Sequence, residues 1–337
     1  MTPKLKPIEE QCVVLVGVSS GIGRQTARRF AERGARLVVS GRDEHALADV
    51  LDDVRSLGAS DAIAVQADVV DPGAMREVAR RAEEAFGRVD TWVQTAAVSV
   101  YATAEDTTIE EFHRVIEVNL LGQIHGALAA LPALRRAGGG ALIEISSVEA
   151  EIALPYQAAY AASKHGMAGF LRSLRMELMA DGAPIAVTMV MPAGIDTPLF
   201  MNARSKLGVL PKPTAPVYDP DVVADQVLWA AEHPSGDLFA GGAGWAIALF
   251  RRLSPGGYEA VVSRIGEPAQ RSDVPEGPEA VDNLEAPTPL TDTVRGGFGG
   301  RSFSVSNVIQ RVPGIVRAGA VAAAIGGVVI ARRRAAG

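Results

Sequence analysis

Short apolar runs alternate with longer amphipathic stretches over the first three quarters of the chain. Cys12–Val18 (CVVLVGV) is apolar throughout and of strand length, and Arg24–Arg33 follows with helical spacing until Gly34 stops it. Arg36–Ser40 (RLVVS) predicts a second strand. Ala62–Gln66, Thr91–Gln94, Ala141–Ser146 (ALIEIS) and Ile185–Met191 (IAVTMVM) predict four more, each separated by enough residues for a crossover helix. Strands buried on both faces need such runs, so the expected fold is α/β: a Rossmann-type doubly wound parallel sheet with helices on both faces, in one domain over 1–265.

The pattern breaks near Arg264. Residues 266–306 are rich in Pro, Gly and acids and then in glycine (RGGFGGRS), with few apolar residues to bury, and read as a mobile linker. Residues 307–337 contain no acid, and Ala318–Ala331 is an uninterrupted small-apolar run closed by Arg332, Arg333 and Arg334. As a helix this run spans about 21 Å, short of a hydrocarbon core of about 30 Å. Gly319, Ala323 and Gly327 nevertheless form a small-residue face and the arginines can snorkel, so membrane contact through 312–334 is the expectation. A docking helix and a disordered tail are the alternatives.

Composition narrows the function classes. With 337 residues and 48% hydrophobic content, the chain can bury a sizeable core. A net charge of −6 gives no overall attraction to nucleic acid, which is excluded as a partner. The single cysteine, Cys12, excludes an intrachain disulfide or a cysteine-based metal cluster. His45, His113, His125, His165 and His233 show no metal-ligand spacing and read as structural or solvent-facing; no metal is expected. The first residues, MTPKLKPIEEQ, lack the apolar core of a secretory signal, so a cytoplasmic location is expected, with the tail as the possible point of membrane attachment.

Candidate chemistry begins at VGVSSGIGR, directly after the first strand and opening the first helix. Glycine lets the backbone turn and lets a pyrophosphate approach the main chain, where free N–H groups at the helix start stabilise negative charge. Ser19 and Ser20 add hydroxyls and can cap the helix. Asp68 ends the third strand, on the edge where ligands of such sheets collect; it can also cap the next helix, a role for which Asp71 competes. The second strand ends in Ser40, Gly41 and Arg42, without an acid to chelate both ribose hydroxyls. Arg42 can pair with a 2′-phosphate, which favours NADP(H) over NAD(H), or be a solvated charge.

Tyr160 and Lys164 (YAASK) are four apart and share one face if their segment is helical. An ammonium near a phenol stabilises the phenolate and lowers a pKa otherwise near 10, giving a pair able to move a proton on and off an alcohol oxygen. The ordered set VGVSSGIG, VNLLG, ISSVEA and YAASK resembles the short-chain dehydrogenase/reductase family over roughly residues 8–255. That resemblance implies reversible hydride transfer between a small-molecule alcohol and a carbonyl with NAD(P)(H), and a homo-oligomer, dimer or tetramer. Carried over by position, Tyr160 is the general acid/base and Ser147 orients the substrate oxygen. Lys164 tunes the tyrosine and grips the nicotinamide ribose, and Asn119 positions a water in a proton relay. Ser146 replaces Ser147 if the register is off by one, and Asn119 can instead tie helix to strand. The implied cofactor contacts are Gly17, Ser19, Ser20, Gly21, Ile22, Gly23, Arg42, Asp68, Val69, Ala96, Tyr160, Lys164, Pro192 and Thr197.

Three departures stand out. The family's NNAG segment is Gln94, Thr95, Ala96 and Ala97; the first Thr of the glycine motif is Val16, which removes a hydroxyl that braces the turn; and the Pro-Gly pair is Pro192-Ala193. The changed 94–97 segment motivates an alternative, a catalytically idle NADP(H)-binding regulatory or scaffold protein. The loop Asp196–Pro220 is expected to cover the active site. Its Leu199, Phe200, Met201, Leu207, Val209 and Leu210 suggest either an apolar substrate surface or packing on the domain or a partner subunit.

Overall fold

All six predicted strands form, joined by a seventh that the pattern does not announce. In the computed structural model, which describes residues 3–277, 280–288, 293–302, 304, 307 and 311, they are β1 (Cys12–Val16), β2 (Arg36–Gly41), β3 (Asp61–Gln66), β4 (Thr91–Gln94), β5 (Gly140–Ile145), β6 (Ile185–Pro192) and β7 (Asp237–Ala240). They pair in the order β3-β2-β1-β4-β5-β6-β7, parallel throughout. Apart from the β3 and β7 edges the strands are almost entirely buried, which is why their sequences are continuous apolar runs. β7 escapes prediction because it is four residues long, begins with Asp237, and alternates half-buried with buried positions at the sheet edge.

The helices cover both faces. Helices α1 (Gly21–Glu32) and α2 (Glu44–Ser56) and the later helix Pro220–Glu232 pack on one side through Phe30, Leu47, Val50 and Val223. Helices α3 (Pro72–Phe86), α4 (Ile109–Ile116), α5 (Gly122–Arg136) and α6 (Ala158–Ala180) pack on the other through Met75, Val115, Leu134, Met167 and Leu171. A π-helical turn, Glu117–Leu121, joins α4 to α5. Among the described residues this continuous helix, Ile109–Arg136, is long and apolar enough to cross a membrane, but half of its most apolar window is buried in the fold. The 312–334 tail lies outside the described residues. The chain runs outward from β1 to β3 and returns to place β4 on the other side of β1, so the glycine-rich turn and the Gln94–Ala97 segment meet at a topological switch point.

The structure corrects the linker expectation for 266–306. The boundary at 265 falls inside a helix, Pro255–Gln270, whose Gln270 is buried and bonded to Gln157 at 2.6 Å. Arg271–Pro275 then pairs antiparallel with Val209–Pro211. Further on, Leu284 is fully buried and belongs to the core on the α3–α6 side. The low apolar content of this stretch misleads because it is held by polar groups and by close main-chain approach.

Two helical glycines make the packing testable. A Cβ at Gly126 in α5 would lie 2.0 Å from Oε1 of the buried Gln94, whereas a Cβ at Gly169 in α6 meets nothing within 4 Å. Gly126→Ala is expected to destabilise by about 1–3 kcal/mol, through displacement of Gln94, and Gly169→Ala to stabilise by up to about 1 kcal/mol. Urea unfolding of both variants checks this; equal effects would contradict the packing described.

Candidate functional site

The carboxyl ends of β1, β4, β5 and β6 surround one elongated cavity. All fourteen residues expected to touch a dinucleotide line it, from Gly17 to Thr197, as do Ser147, Tyr160 and Lys164. At the first strand end, Gly17 has φ +85°, and a Cβ there would lie 2.5 Å from the main-chain nitrogen of Ala96. A Cβ at Gly23 would lie 2.1 Å from the Gly17 carbonyl oxygen. Both positions therefore need glycine, and the small Ala96 is what lets β4's end approach the turn. Ser20 is the N-cap residue of α1 but makes no side-chain capping bond. Asp71, not Asp68, caps α3 through Gly73 N–H at 2.6 Å, which leaves the Asp68 carboxylate on the cavity wall.

The departures from the family motif explain one another. Thr95 Oγ1 lies 2.9 Å from the Val16 carbonyl oxygen and 2.6 Å from that of Gly17, so a hydroxyl from the end of β4 braces the turn in place of the one missing at position 16. Gln94 points the other way. Its amide donates to the Gln123 carbonyl at 2.7 Å and to the Glu144 carboxyl at 3.1 Å, both fully inside the protein. Burial holds the Glu144 carboxyl well above its ordinary value, opposed by the Gln94 hydrogen bond and the charge of Lys164.

Helix α6 presents Tyr160 and Lys164 on one buried face, as their spacing requires. Lys164 Nζ sits 5.4 Å from the Tyr160 ring centroid and 3.3 Å from the Ile145 carbonyl oxygen. Burial pushes the ammonium down to about 8, against the opposing pull of Glu144 and Glu149. The expectation that the lysine sets a low tyrosine pKa is not met in this structure: burial first, and the nearby Glu149 second, hold the phenol above its ordinary value, with a hydrogen bond from Ser147 acting the other way. Ser147 Oγ accepts from the Glu149 N–H at 3.1 Å, and both Ser147 and Ser146 face the cavity. Asn119, in the π-helical turn, uses both ends of its amide on the main chain of Val98 at 2.8 Å each and does not line the cavity. Of the covering loop, Leu199 and Phe200 reach the cavity, while Val209–Pro211 pairs with Arg271–Pro275.

Glu149 went unnoticed in the sequence. It follows Ser147 by two residues, is 4% exposed, faces the cavity, and leaves Oε2 without a partner. Burial pushes its carboxyl up to about 8, opposed by the Leu154 N–H and by Lys164. An acid in the otherwise small and polar ISSVEA run was the available signal.

Residues 11–208 match the family model for short chain dehydrogenases. The chain belongs to the short-chain dehydrogenase family. It is 38% identical over 277 residues to an uncharacterized oxidoreductase of Bacillus subtilis, YxnA, covering 82% of this chain and 78% of that one. To dehydrogenase/reductase SDR family member 7B of Bos taurus it is 36% identical over 262 residues, covering 74% and 79%. Among solved structures, the alcohol dehydrogenase of the archaeon Thermococcus sibiricus complexed with 5-hydroxy-NADP resembles it with a TM-score of 0.60 at 25% identity, over 68% of this chain and 95% of that chain. This short-chain dehydrogenase is therefore an oxidoreductase of CH–OH groups that uses a nicotinamide dinucleotide. The glycine cradle at the start of α1 and the buried Lys164 fit such a group.

The raised Glu149 carboxyl links stability to pH. The unfolded chain releases this proton above its ordinary value of 4.5, whereas the folded protein holds it until about 8. Its contribution is fully present below the unfolded value and is lost as the pH rises to 8, by up to about 5 kcal/mol. Glu149→Gln is expected to raise Tm by several degrees more at pH 8 than at pH 5. Thermal melts at both pH values test this, and identical shifts would contradict it.

Proposed function

We propose that the protein is an NADP(H)-dependent carbonyl reductase of small molecules, working also in the alcohol-oxidising direction, with Tyr160 as general acid/base. The observation that carries the reading is Tyr160, buried and one helical turn from Lys164, in the same cavity as Ser147 and the glycine-rich turn. When bound, the dinucleotide supplies or accepts the hydride. Ser147 holds the substrate oxygen beside the phenol, and Tyr160 gives that oxygen a proton as the carbonyl becomes an alcohol. At neutral pH the phenol is protonated and carries the proton that the substrate oxygen receives in reduction. Lys164 lies where it would grip the nicotinamide ribose. Asn119 holds α5's approach to Val98 and acts on the site through that tie. Gly17, Ser19, Ser20, Gly21, Ile22 and Gly23 would receive the pyrophosphate, with Asp68, Val69, Ala96, Pro192 and Thr197 along the rest of the dinucleotide.

Arg42 supports the NADP(H) preference. It follows β2, faces the cavity, and lies near a second arginine, Arg114, with Asp68 and Glu285 as the nearby acids. A 2′-phosphate would add a further anion to this pair of arginines. Leu199 and Phe200, with Phe200 against Tyr101 at 6.4 Å between centroids, make the substrate end apolar. The idle-protein alternative rested on Gln94–Ala97, and these residues have work in the site: Thr95 braces the turn and Gln94 pairs with Glu144.

Tyr160→Phe tests the reading. Against a panel of ketones and aldehydes with NADPH, kcat is expected to fall at least about 100-fold, while NADPH binding, followed by fluorescence, is retained. Wild-type rates in the oxidative direction should climb with pH well into the alkaline range. Equal turnover by mutant and wild type on every substrate found would overturn the mechanism.

A further inference from the structure

The stretch after the predicted domain end does not leave the molecule; it crosses the cofactor cleft. Two arginines take three successive carbonyl groups of this stretch. Arg42 donates to Asn283 at 3.0 Å and to Glu285 at 3.2 Å, and Arg114 donates to Leu284 at 2.9 Å. Beside them the side chain of Leu284 is buried in the core, and Asn283 and Pro287 line the same cavity as the glycine-rich turn. A second cavity lies between this stretch and the end of β3, walled by Gln66, Ala67 and Asp68 on one side and Glu285 to Pro287 on the other.

The second half of the stretch is fastened just as closely. The Gly21 N–H, at the start of α1, donates to the Thr293 carbonyl at 3.0 Å. The buried Asp196 carboxylate accepts from the N–H groups of Gly296, Phe298 and Gly299 at 2.9–3.1 Å, and so is held in place next to Thr197. Arg295 pairs with Asp219 at 2.7 Å, and Phe298 packs edge-on against Phe200 with centroids 5.7 Å apart. The glycines permit close approach: a Cβ at Gly296 would lie 2.4 Å from the Thr197 carbonyl oxygen, and one at Gly300 would lie 2.5 Å from the Asp219 nitrogen.

We propose that residues 280–288 and 293–302 form a strap that is an integral wall of the dinucleotide site, closed over bound cofactor at its Arg42–Asp68 end and displaced for the cofactor to exchange. This rests on the reading that the cleft takes NADP(H). The 280–288 half is a wall and not a plug, because Asn283 and Pro287 share the lining of the cavity with the glycine-rich turn; at the 293–302 half the Gly21–Thr293 bond has to open before that N–H can receive the cofactor. Its grip is made by main-chain carbonyls and N–H groups on Arg42, Arg114 and Asp196, contacts that can open one at a time without disrupting the sheet. The strap also binds the loop carrying Thr197 and Phe200, so closure over the cofactor and shaping of the substrate end are one event.

Hydrogen exchange of the intact wild-type chain is the first test: saturating NADP⁺ is expected to slow exchange of the amides of 283–288 and 293–300. The second test unseats the strap at either end with Leu284→Asp and with Gly300→Val, leaving every residue of the reacting centre in place. Stopped-flow fluorescence should show NADPH release accelerated at least about tenfold in both, with weaker equilibrium binding and faster strap exchange. No cofactor-dependent slowing in the wild type, unchanged release, or tighter NADPH binding in the variants would overturn the proposal, the last by showing the strap to be an internal competitor. Failure of the wild type to bind NADPH at all would instead remove the NADP(H) reading beneath it.

Discussion

The glycine-rich turn of this protein hangs on one hydroxyl. Thr95 Oγ1, at the end of β4, faces the carbonyls of Val16 and Gly17 at 2.9 and 2.6 Å and so fixes where the first strand stops and the glycine-rich turn begins. The turn in turn sets the start of α1, whose Gly21, Ile22 and Gly23 line the cleft. A hydrogen bond of this kind is worth about 1 kcal/mol in stability. Its importance is positional: without it, the turn has no side-chain brace on this side, because Val16 offers none.

Around that frame the site is built from buried ionisable groups that hold one another away from their ordinary states. Glu144 and Glu149 flank Lys164, and all three are almost wholly excluded from solvent. Desolvation favours the neutral form of each, raising the acids and lowering the amine. The same desolvation, with Glu149 beside it, keeps Tyr160 protonated. A buried cluster of this kind is costly to stability and is what a proton-transfer site needs, since each group can be moved across its titration by a charge arriving nearby.

Much of this was legible in the sequence because it is local. Most of the strands are largely apolar runs, and Tyr160 and Lys164 share a face by helical spacing alone. The glycine-rich turn lies where a strand hands over to a helix. What was not legible is held by contacts distant in sequence. Val16 read as a missing brace, and nothing in its neighbourhood shows that Thr95, 79 positions on, replaces it. Glu149 went unnoticed, since its burial depends on packing against α6. The glycines of RGGFGGR read as flexibility, yet Gly296 and Gly300 are glycines because Thr197 and Asp219 come too close for any side chain. Composition cannot separate a glycine that frees the chain from one that lets two chain segments touch.

The most direct measurement is an equilibrium titration of NADPH fluorescence with the wild-type protein and with Thr95→Val, a nearly isosteric change that removes only the hydroxyl. If the brace positions the cofactor turn, the wild type binds saturably and the variant, still folded by circular dichroism, binds about tenfold more weakly, as loss of one well-placed hydrogen bond implies. Equal affinity in the two proteins would contradict the account.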